Sequence, residues 1–364
     1  MREIPLISIL MPARNAQKYL RLAVESILDQ TFSDFELLIL DDASDDKTFR
    51  IAQSLRDKRI FVKHFSIKQG LAKIRQAGVD LSRGKLIAFL DSDDISLPER
   101  LKLQVSFFQK HEDVSILGSW AELIDDNGKR SGEIWKHITF PEYIKTFLLF
   151  RNCLTQSTVM MRRECFRKYG YRKGYWPAPD FDLWTRMSHE FIIANMPLVL
   201  SYYRVSDKNM TGIHEREIEK CTQKIFADNL RYLGVNPSNK EVKLHDSLER
   251  TTVNRQADSI ELLELWLKRL ITANTASKKY DPEIFRNVVG DYWFKTSLLN
   301  ADKGLNTWKK YCNSPLNYHV SGKWKKSAFL FMACAVHRPV LADISSQSWH
   351  DLVYGKKMPV MREQ

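Results

Sequence analysis

Leu86-Ile87-Ala88-Phe89-Leu90 is a run of five apolar residues that ends in Asp91-Ser92-Asp93-Asp94. So short an apolar run fits a strand buried on both faces better than a helix. Three carboxylates in four positions then stand at the carboxyl end of that strand. In an open α/β sheet this is the end where ligands bind. Crowded carboxylates repel one another unless positive charge neutralises them, and hard oxygen ligands suit Mg²⁺ or Mn²⁺. A solvated turn, with Asp93 or Asp94 capping the helix that Pro98 opens, accounts for the same residues, because Asp is favoured in turns and at N-caps. A second stretch shifts the balance. Phe35-Glu36-Leu37-Leu38-Ile39-Leu40 ends in Asp41-Asp42, followed by Ala43-Ser44-Asp45-Asp46-Lys47-Thr48, a turn and helix start rich in capping side chains. Two buried strands with acids at the same end predict one shared site.

The chain of 364 residues has room for one large domain or two ordinary ones. Its first 110 residues alternate strand and helix. Strands are expected at Leu6–Met11, Phe35–Leu40, Ile60–Val62 and Leu86–Leu90. Helices are expected over 19–30, 47–55 and 71–81, and from Pro98 to about His111. That alternation implies a mostly parallel sheet with right-handed crossovers. The middle reads as a strand at Val114–Trp120, a turn at Asp125–Gly128, a helix over 141–150 and an extended segment at Ser157–Met161. A loop over 170–179 precedes a helix over 182–190 and two short strands, Phe191–Ile193 and Leu198–Tyr203. Beyond about Thr211 helical patterns dominate: 215–233, 260–276, 282–299, 305–312 and 323–336. The expected fold class is α/β, a Rossmann-like sheet flanked by helices over 1–212, followed by an all-helical domain over 213–364.

A net charge of +12 suits an anionic partner: nucleic acid, a phosphorylated ligand or an acidic membrane surface. The five cysteines are scattered without CxxC pairs, which reads as reduced thiols in a cytoplasmic setting. The short apolar run behind Met1-Arg2-Glu3 suits a first strand better than a signal peptide. No stretch approaches the ~20 apolar residues that span a bilayer. P-loop, GxGxxG, HExxH and GxSxG patterns are missing, and the nine histidines are dispersed. One further acidic segment stands out, Asp180-Phe181-Asp182-Leu183-Trp184-Thr185-Arg186, at a helix start just after an aromatic loop. Capping and the helix dipole would explain one of those acids without any function.

Taken together, these elements resemble the inverting family 2 glycosyltransferases with the GT-A fold, over about Ile7 to Thr211. Ile7 to Asn15 looks like the family's opening strand and nucleotide-binding loop, and Ala23 to Thr31 like its first helix. Leu40-Asp41-Asp42-Ala43-Ser44-Asp45-Asp46 resembles its Asp-Asp-x-Ser-x-Asp element, Phe89 to Asp94 its metal-binding DxD motif, and Asp180 to Arg186 its catalytic-base segment. The resemblance implies a nucleotide-sugar donor, UDP-linked by analogy, and a Mn²⁺ or Mg²⁺ cofactor. Pro12, Arg14, Asp42, Arg75, Asp91, Ser92 and Asp93 would bind the donor. Asp42 would meet its base or ribose and Asp91 its ribose, while Asp93 and Asp94 hold the metal on the diphosphate. Asp180 would be the base. Tyr175, Trp176, Asp182 and Trp184 would face a carbohydrate or lipid-linked glycan acceptor, beside Tyr169 and Tyr171 in the same aromatic stretch.

The chain departs from the family's pattern in places. Arg14 replaces an aromatic before Asn15, Gln76 stands where Asn is frequent, Pro179 where Glu is frequent, and Ser206 where a His often follows. His214 is near enough in sequence to substitute for that His. Rival readings are a haloacid-dehalogenase-type phosphohydrolase, a nucleotidyltransferase and a non-catalytic nucleic-acid or anion binder. Ile95 after the DxD, the three strands before it and the absence of a Gly-rich loop or nucleic-acid motif weigh against them, so no nucleic-acid partner is expected. Trp266-Leu267-Lys268-Arg269, Trp308-Lys309-Lys310 and Lys323-Trp324-Lys325-Lys326 pair indoles with cations. They suit an anionic membrane surface, and the family resemblance implies that this is the inner face of the cell membrane, with the protein cytoplasmic. A helical bundle that buries the indoles and serves acceptor binding or oligomerisation is the alternative.

Overall fold

The computed structural model describes residues 4–206, 214–249, 259–319 and 322–337. The expected boundary at 212, the expected limit of the family resemblance at Thr211 and residues Met1-Arg2-Glu3 lie outside them. The chain forms two compact units. One comprises residues up to His137 together with Cys153–Cys221, and the other Ile138–Asn152 together with the chain from Thr222 onward. A short segment from the middle of the sequence therefore groups with the C-terminal helices.

The first unit opens with β1 (Ile7–Ala13), α1 (Leu20–Leu28), β2 (Phe35–Asp42), α2 (Thr48–Ser54), β3 (Ile60–Phe65), α3 (Leu71–Leu81) and β4 (Leu86–Phe89). Every residue of β1, β2 and β4 is buried, the signature of strands covered on both faces. β3 lies at the sheet's edge and is half exposed. At the amino end of this sheet the buried Glu36 accepts from the Ser8 hydroxyl at 2.6 Å and from Nε of Arg83 at 2.7 Å. A Cβ on Gly84 would stand 2.6 Å from the Ser8 nitrogen, so only glycine lets the chain enter β4 this close to β1.

Next come β5 (Ile95–Ser96), α4 (Arg100–Lys110), β6 (Val114–Ile124) and β7 (Arg130–Trp135). After α5 (Pro141–Phe147), which belongs to the second unit, follow β8 (Met160–Arg162), α6 (Pro179–Met187) and β9 (Ile192–Arg204). The strand order is β3-β2-β1-β4-β8-β6-β9-β5, with β7 paired to β6. β3, β2, β1 and β4 run parallel, as the βαβ alternation predicts. From β8 onward the sheet is mixed: β8 is antiparallel to β4 and β6, while β6 and β9 are parallel.

The structure differs locally from the sequence reading. β5, β7 and a later helix over Asn239–Ser247 are additional to it. Gln156–Thr158 is a 3₁₀ turn, and the two strands expected across 191–203 are one strand whose register shifts three times against β6.

The second unit holds α5, α7 (Glu215–Leu233, whose first turns belong to the first unit), α8 (Asn239–Ser247), α9 (Ile260–Ser277), α10 (Pro282–Leu299), α11 (Leu305–Asn313) and α12 (Lys323–Ala335). Asp281 caps α10 by accepting from the amides of Glu283 and Ile284, and Pro282 takes the first helical position. Residues 288–298 of α10 are buried without a break, so it is the bundle's central helix. Among the described residues no helix is long and apolar enough to cross a membrane.

Candidate active site

β1 pairs with β2 on one side and β4 on the other, so the strand order reverses direction at β1. This is the switch point at which open α/β sheets bind ligands. The carboxyl ends of these strands frame a cavity of about 410 Å³ lined by Pro12, Arg14, Asp42, Arg75, Asp91, Ser92 and Asp93, with Ala13, Lys68, Gly70, Leu71, Ile74, Trp176, Tyr203 and His214. All seven residues that the sequence proposed for the donor meet here. Lys68, Gly70 and Tyr203 were missed. The signals for them were slight: a glycine one residue before a helix, and a tyrosine at the end of an apolar strand.

The two acids ending β2 are divided by their environment. Asp41 is fully buried and held by the Ser44 hydroxyl and by Nδ1 of His64 at 2.7 Å. Asp42 faces the cavity and accepts from the amides of Gln69 at 2.6 Å and Gly70 at 2.9 Å. Gly70 has φ +87°, a conformation that favours glycine. An ionised carboxylate has about four acceptor sites, so Asp42 retains capacity for ligand N–H or O–H groups. The capping-rich turn after it laces β2 to the β1 loop. The Asn15 amide donates to the Ser44 hydroxyl, and the Asp45 amide to the Asn15 side chain. The Gln17 amide donates to Asp46.

The three acids after β4 are divided in the same way. Asp91 receives Nη2 of Arg75 at 2.8 Å, and its amide donates to the Ser157 hydroxyl at 3.1 Å. Asp93 lines the cavity, and burial together with the charge of Asp91 pushes its carboxyl up to about 6. Asp94 corrects the expectation of a metal ligand. It is 1% exposed, accepting the Ser157 hydroxyl on one oxygen and the Arg204 amide at 2.8 Å on the other, so it ties the β4 turn to β9. Among the described residues no three His, Cys, Asp or Glu side chains converge on one point. A divalent ion bound chiefly through a substrate's phosphates needs only one or two carboxylates, and the desolvated Asp93 fits that role.

α6 separates its two acids. Asp180, in the first turn behind Pro179, is held above the usual carboxylate range by burial, an effect opposed by the nearby Arg75 guanidinium. Asp182 is 1% exposed and clamped between Arg172 and Arg186, the latter at 2.7 Å. The acceptor expectations for Asp182, Trp184 and Tyr175 are therefore corrected. Trp184 is fully buried, its ring edge-on to Phe89 at 6.0 Å, because nearly every side of α6 packs into the core. Tyr175 is buried under the Arg172 guanidinium at 4.1 Å. Trp176 is exposed, lines the cavity and meets the His214 ring edge-on at 4.7 Å.

The sequence pattern described as Glycosyl transferase family 2 matches residues 8–170. The O-antigen biosynthesis glycosyltransferase WbnJ of Escherichia coli is 32% identical over 220 residues, 57% of this chain and 83% of WbnJ. The chain belongs to glycosyl transferase family 2. A second Escherichia coli relative, the UDP-Glc:alpha-D-GlcNAc-diphosphoundecaprenol beta-1,3-glucosyltransferase WfgD, is 28% identical over 59% of this glycosyltransferase and 83% of its own length. S. aureus TarS 1–349, crystallised in complex with UDP-GlcNAc, covers 88% of this chain and 91% of its own with a TM-score of 0.54 at 17% identity, a likeness of fold. Membership makes this glycosyltransferase an enzyme and sets aside the phosphohydrolase and nucleic-acid readings. The family match ends at residue 170, so Asp180 and α6 lie beyond it.

Proposed function

We propose that this family 2 glycosyltransferase moves a sugar from a UDP-linked donor to a hydroxyl of a lipid-linked glycan, with inversion at the anomeric carbon. The observation that carries the reading is the convergence of Arg14, Asp42, Arg75, Asp91 and Asp93 on one cavity at the sheet's switch point. The name of WfgD, which specifies a UDP-sugar and a diphosphoundecaprenol acceptor, and the UDP-GlcNAc complex of TarS support the choice of donor and acceptor class.

In this reading Asp42 accepts from the nucleoside, and Arg14 and Lys68 offer cations to the diphosphate. A divalent cation on Asp93 would supply Lewis-acid neutralisation of the charge gathering on the departing diphosphate. Asp180 takes the proton of the acceptor hydroxyl while that oxygen bonds to the anomeric carbon. The bond from that carbon to the diphosphate oxygen breaks, and its electron pair leaves with UDP. A single displacement inverts the centre, so an α-linked donor gives a β-glycoside.

The place of work proposed is the inner face of the cell membrane, with the protein bound peripherally. Trp266 is buried and donates to Nδ1 of His245, and Trp308 packs on Phe331. Trp324, by contrast, is 86% exposed, and Trp324, Ala328, Phe331 and Met332 follow helical spacing along one outward side of α12 beside Lys325.

The test is a panel of UDP-, GDP- and CMP-sugars read by thermal stabilisation and turnover. UDP and at least one UDP-sugar are expected to raise the melting temperature. Transfer should fail in excess chelator, and Asp93→Ala should lose most activity while still folding. A product with retained anomeric configuration, seen by NMR, would contradict the single displacement.

A further inference from the structure

Gln156 is only 7% exposed, yet neither atom of its side-chain amide has a hydrogen-bond partner. The buried Tyr171 hydroxyl and Nε of the buried Arg75 are unpartnered as well. Buried polar groups are normally satisfied, because leaving one without a partner forfeits its hydration for nothing. These belong to one cluster. Arg75 lies within electrostatic reach of Asp91, Tyr171 and Asp180, and Tyr171 within reach of Arg75, Asp180 and Asp91, its hydroxyl standing beside the Gln156 amide. Gln156 also directly precedes Ser157, whose hydroxyl accepts the Asp91 amide.

The cluster is held from several sides. Gln76, next to Arg75 on α3, accepts the Tyr171 amide at 3.2 Å and donates to Asp80 at 2.9 Å. Arg186 donates to the Gly170 carbonyl at 2.8 Å while paired with Asp182. A Cβ on Gly170 would meet Oε1 of Gln76 at 2.8 Å, so the backbone approaches α3 closely just before Tyr171. Gln76 directly, and Asp182 through Arg186, thus fix the backbone that sets where the Tyr171 ring stands.

The free atoms offer an amide donor, an amide acceptor, a hydroxyl and a guanidinium N–H. Such a mixed set suits an uncharged polyol, whose hydroxyls both donate and accept. Asp91 and Asp180 beside it disfavour an anion. Arg75 and Tyr171 each lie near both Asp91, assigned to the donor, and Asp180, assigned to the attacking hydroxyl. The sugar whose anomeric carbon is attacked has to come near both acids.

We infer that Gln156 and Tyr171, with Nε of Arg75, form the subsite that grips the hydroxyls of the transferred sugar and sets which sugar is accepted. The inference rests on the donor reading above. Its test compares wild type with Tyr171→Phe and Gln156→Leu, first for binding of UDP alone and then for hydrolysis and transfer with UDP-Glc, UDP-Gal, UDP-GlcNAc and UDP-GalNAc. Both variants should bind UDP within about twofold of wild type and melt at the wild-type temperature. They should lose ~10- to 100-fold in kcat/KM with the preferred sugar and flatten the ranking among the four, since a site built around a hydroxyl rejects its loss strongly. An active wild type whose variants keep both kcat/KM and ranking would overturn the subsite alone. A loss confined to transfer, with donor hydrolysis intact, would also overturn it by moving these residues to the acceptor. A wild type that neither binds UDP nor turns over any UDP-sugar would remove the donor reading and this subsite together.

Discussion

Asp93 and Asp94 are adjacent and chemically identical, yet one carboxylate lines the cavity and the other is enclosed by Ser157 and the Arg204 amide. Asp180 and Asp182 diverge in the same way, one beside Arg75 and one clamped by Arg172 and Arg186. A sequence places such acids at a strand end or helix start, but it does not say which way each points in a turn. For Asp94 that direction depends on Ser157 and Arg204, 63 and 110 positions away. The residues that line the cavity were legible because most of those foreseen sit at or just beyond the end of an apolar run. Trp184 was misread because α6 is buried on nearly all sides, so no exposed face marks which aromatics meet a ligand. Asp180→Asn should lower turnover by ~10²- to 10⁴-fold with UDP binding little changed. A base acts only when ionised, and burial raises this carboxyl above its ordinary value of 3.8. The Asp180 limb of the wild-type kcat/KM profile should therefore lie above pH 3.8 and be missing from the variant, whose remaining acidic limb is that of Asp93. Wild-type turnover in Asp180→Asn with loss in Asp182→Asn would exchange their roles.

Among the elements, β1, β2 and β4 could be read because strands buried on both faces are continuous apolar runs. β5 has two residues, and β7 (Arg-Ser-Gly-Glu-Ile-Trp) is largely exposed, so neither carries a periodic signal. α8 is equally polar in sequence, though its Ser238 and Glu241 form a capping box that a search for caps would have found. The same helix buries His245, whose Nε2 faces the Leu149 carbonyl at 2.9 Å while Nδ1 accepts from Trp266 at 3.2 Å. A second ring proton would point at that indole N–H. Burial lowers the ring to about 4 from 6.5, outweighing the nearby Asp246 and Glu249. Between these values the unfolded chain binds a proton that the folded bundle does not. This contribution is present above pH 6.5 and is lost as pH falls towards 4, roughly 3 kcal/mol in all. Asp291, raised to about 6 by burial despite Lys326 at 2.7 Å, acts with the opposite sign, its contribution fading as pH rises through 6. Urea melts at stepped pH should show wild type losing stability relative to His245→Gln on acidification and gaining it relative to Asp291→Asn. Parallel profiles in either comparison would refute that assignment.

For the whole molecule, the helical character of the later sequence was legible, whereas the assignment of residues 138–152 to the helical unit was not. A helix of seven residues inside an α/β pattern looks like one more crossover, and only long-range contacts reveal its allegiance. The protein should float with vesicles containing anionic lipid at low salt and release as salt rises. Trp324→Ala should weaken the association several-fold, and absence of binding at low salt would refute it.

The helical unit's two-piece construction also has a consequence for synthesis. Ile144, Phe147, Leu148, Leu149 and Phe150 are buried in the finished bundle. Leu149 meets His245, 96 positions later, and the Phe150 ring stacks on Tyr292 still further along. At a ribosomal pace of ~5–20 residues per second, this segment waits roughly 5–20 s after it is made before even His245 is added. During that interval the sheet's own strands up to β9 can all be completed while five large apolar side chains in their midst lack their final neighbours. A growing chain of this kind is a natural client for a chaperone that holds short hydrophobic segments, and the need ends only when α10 emerges.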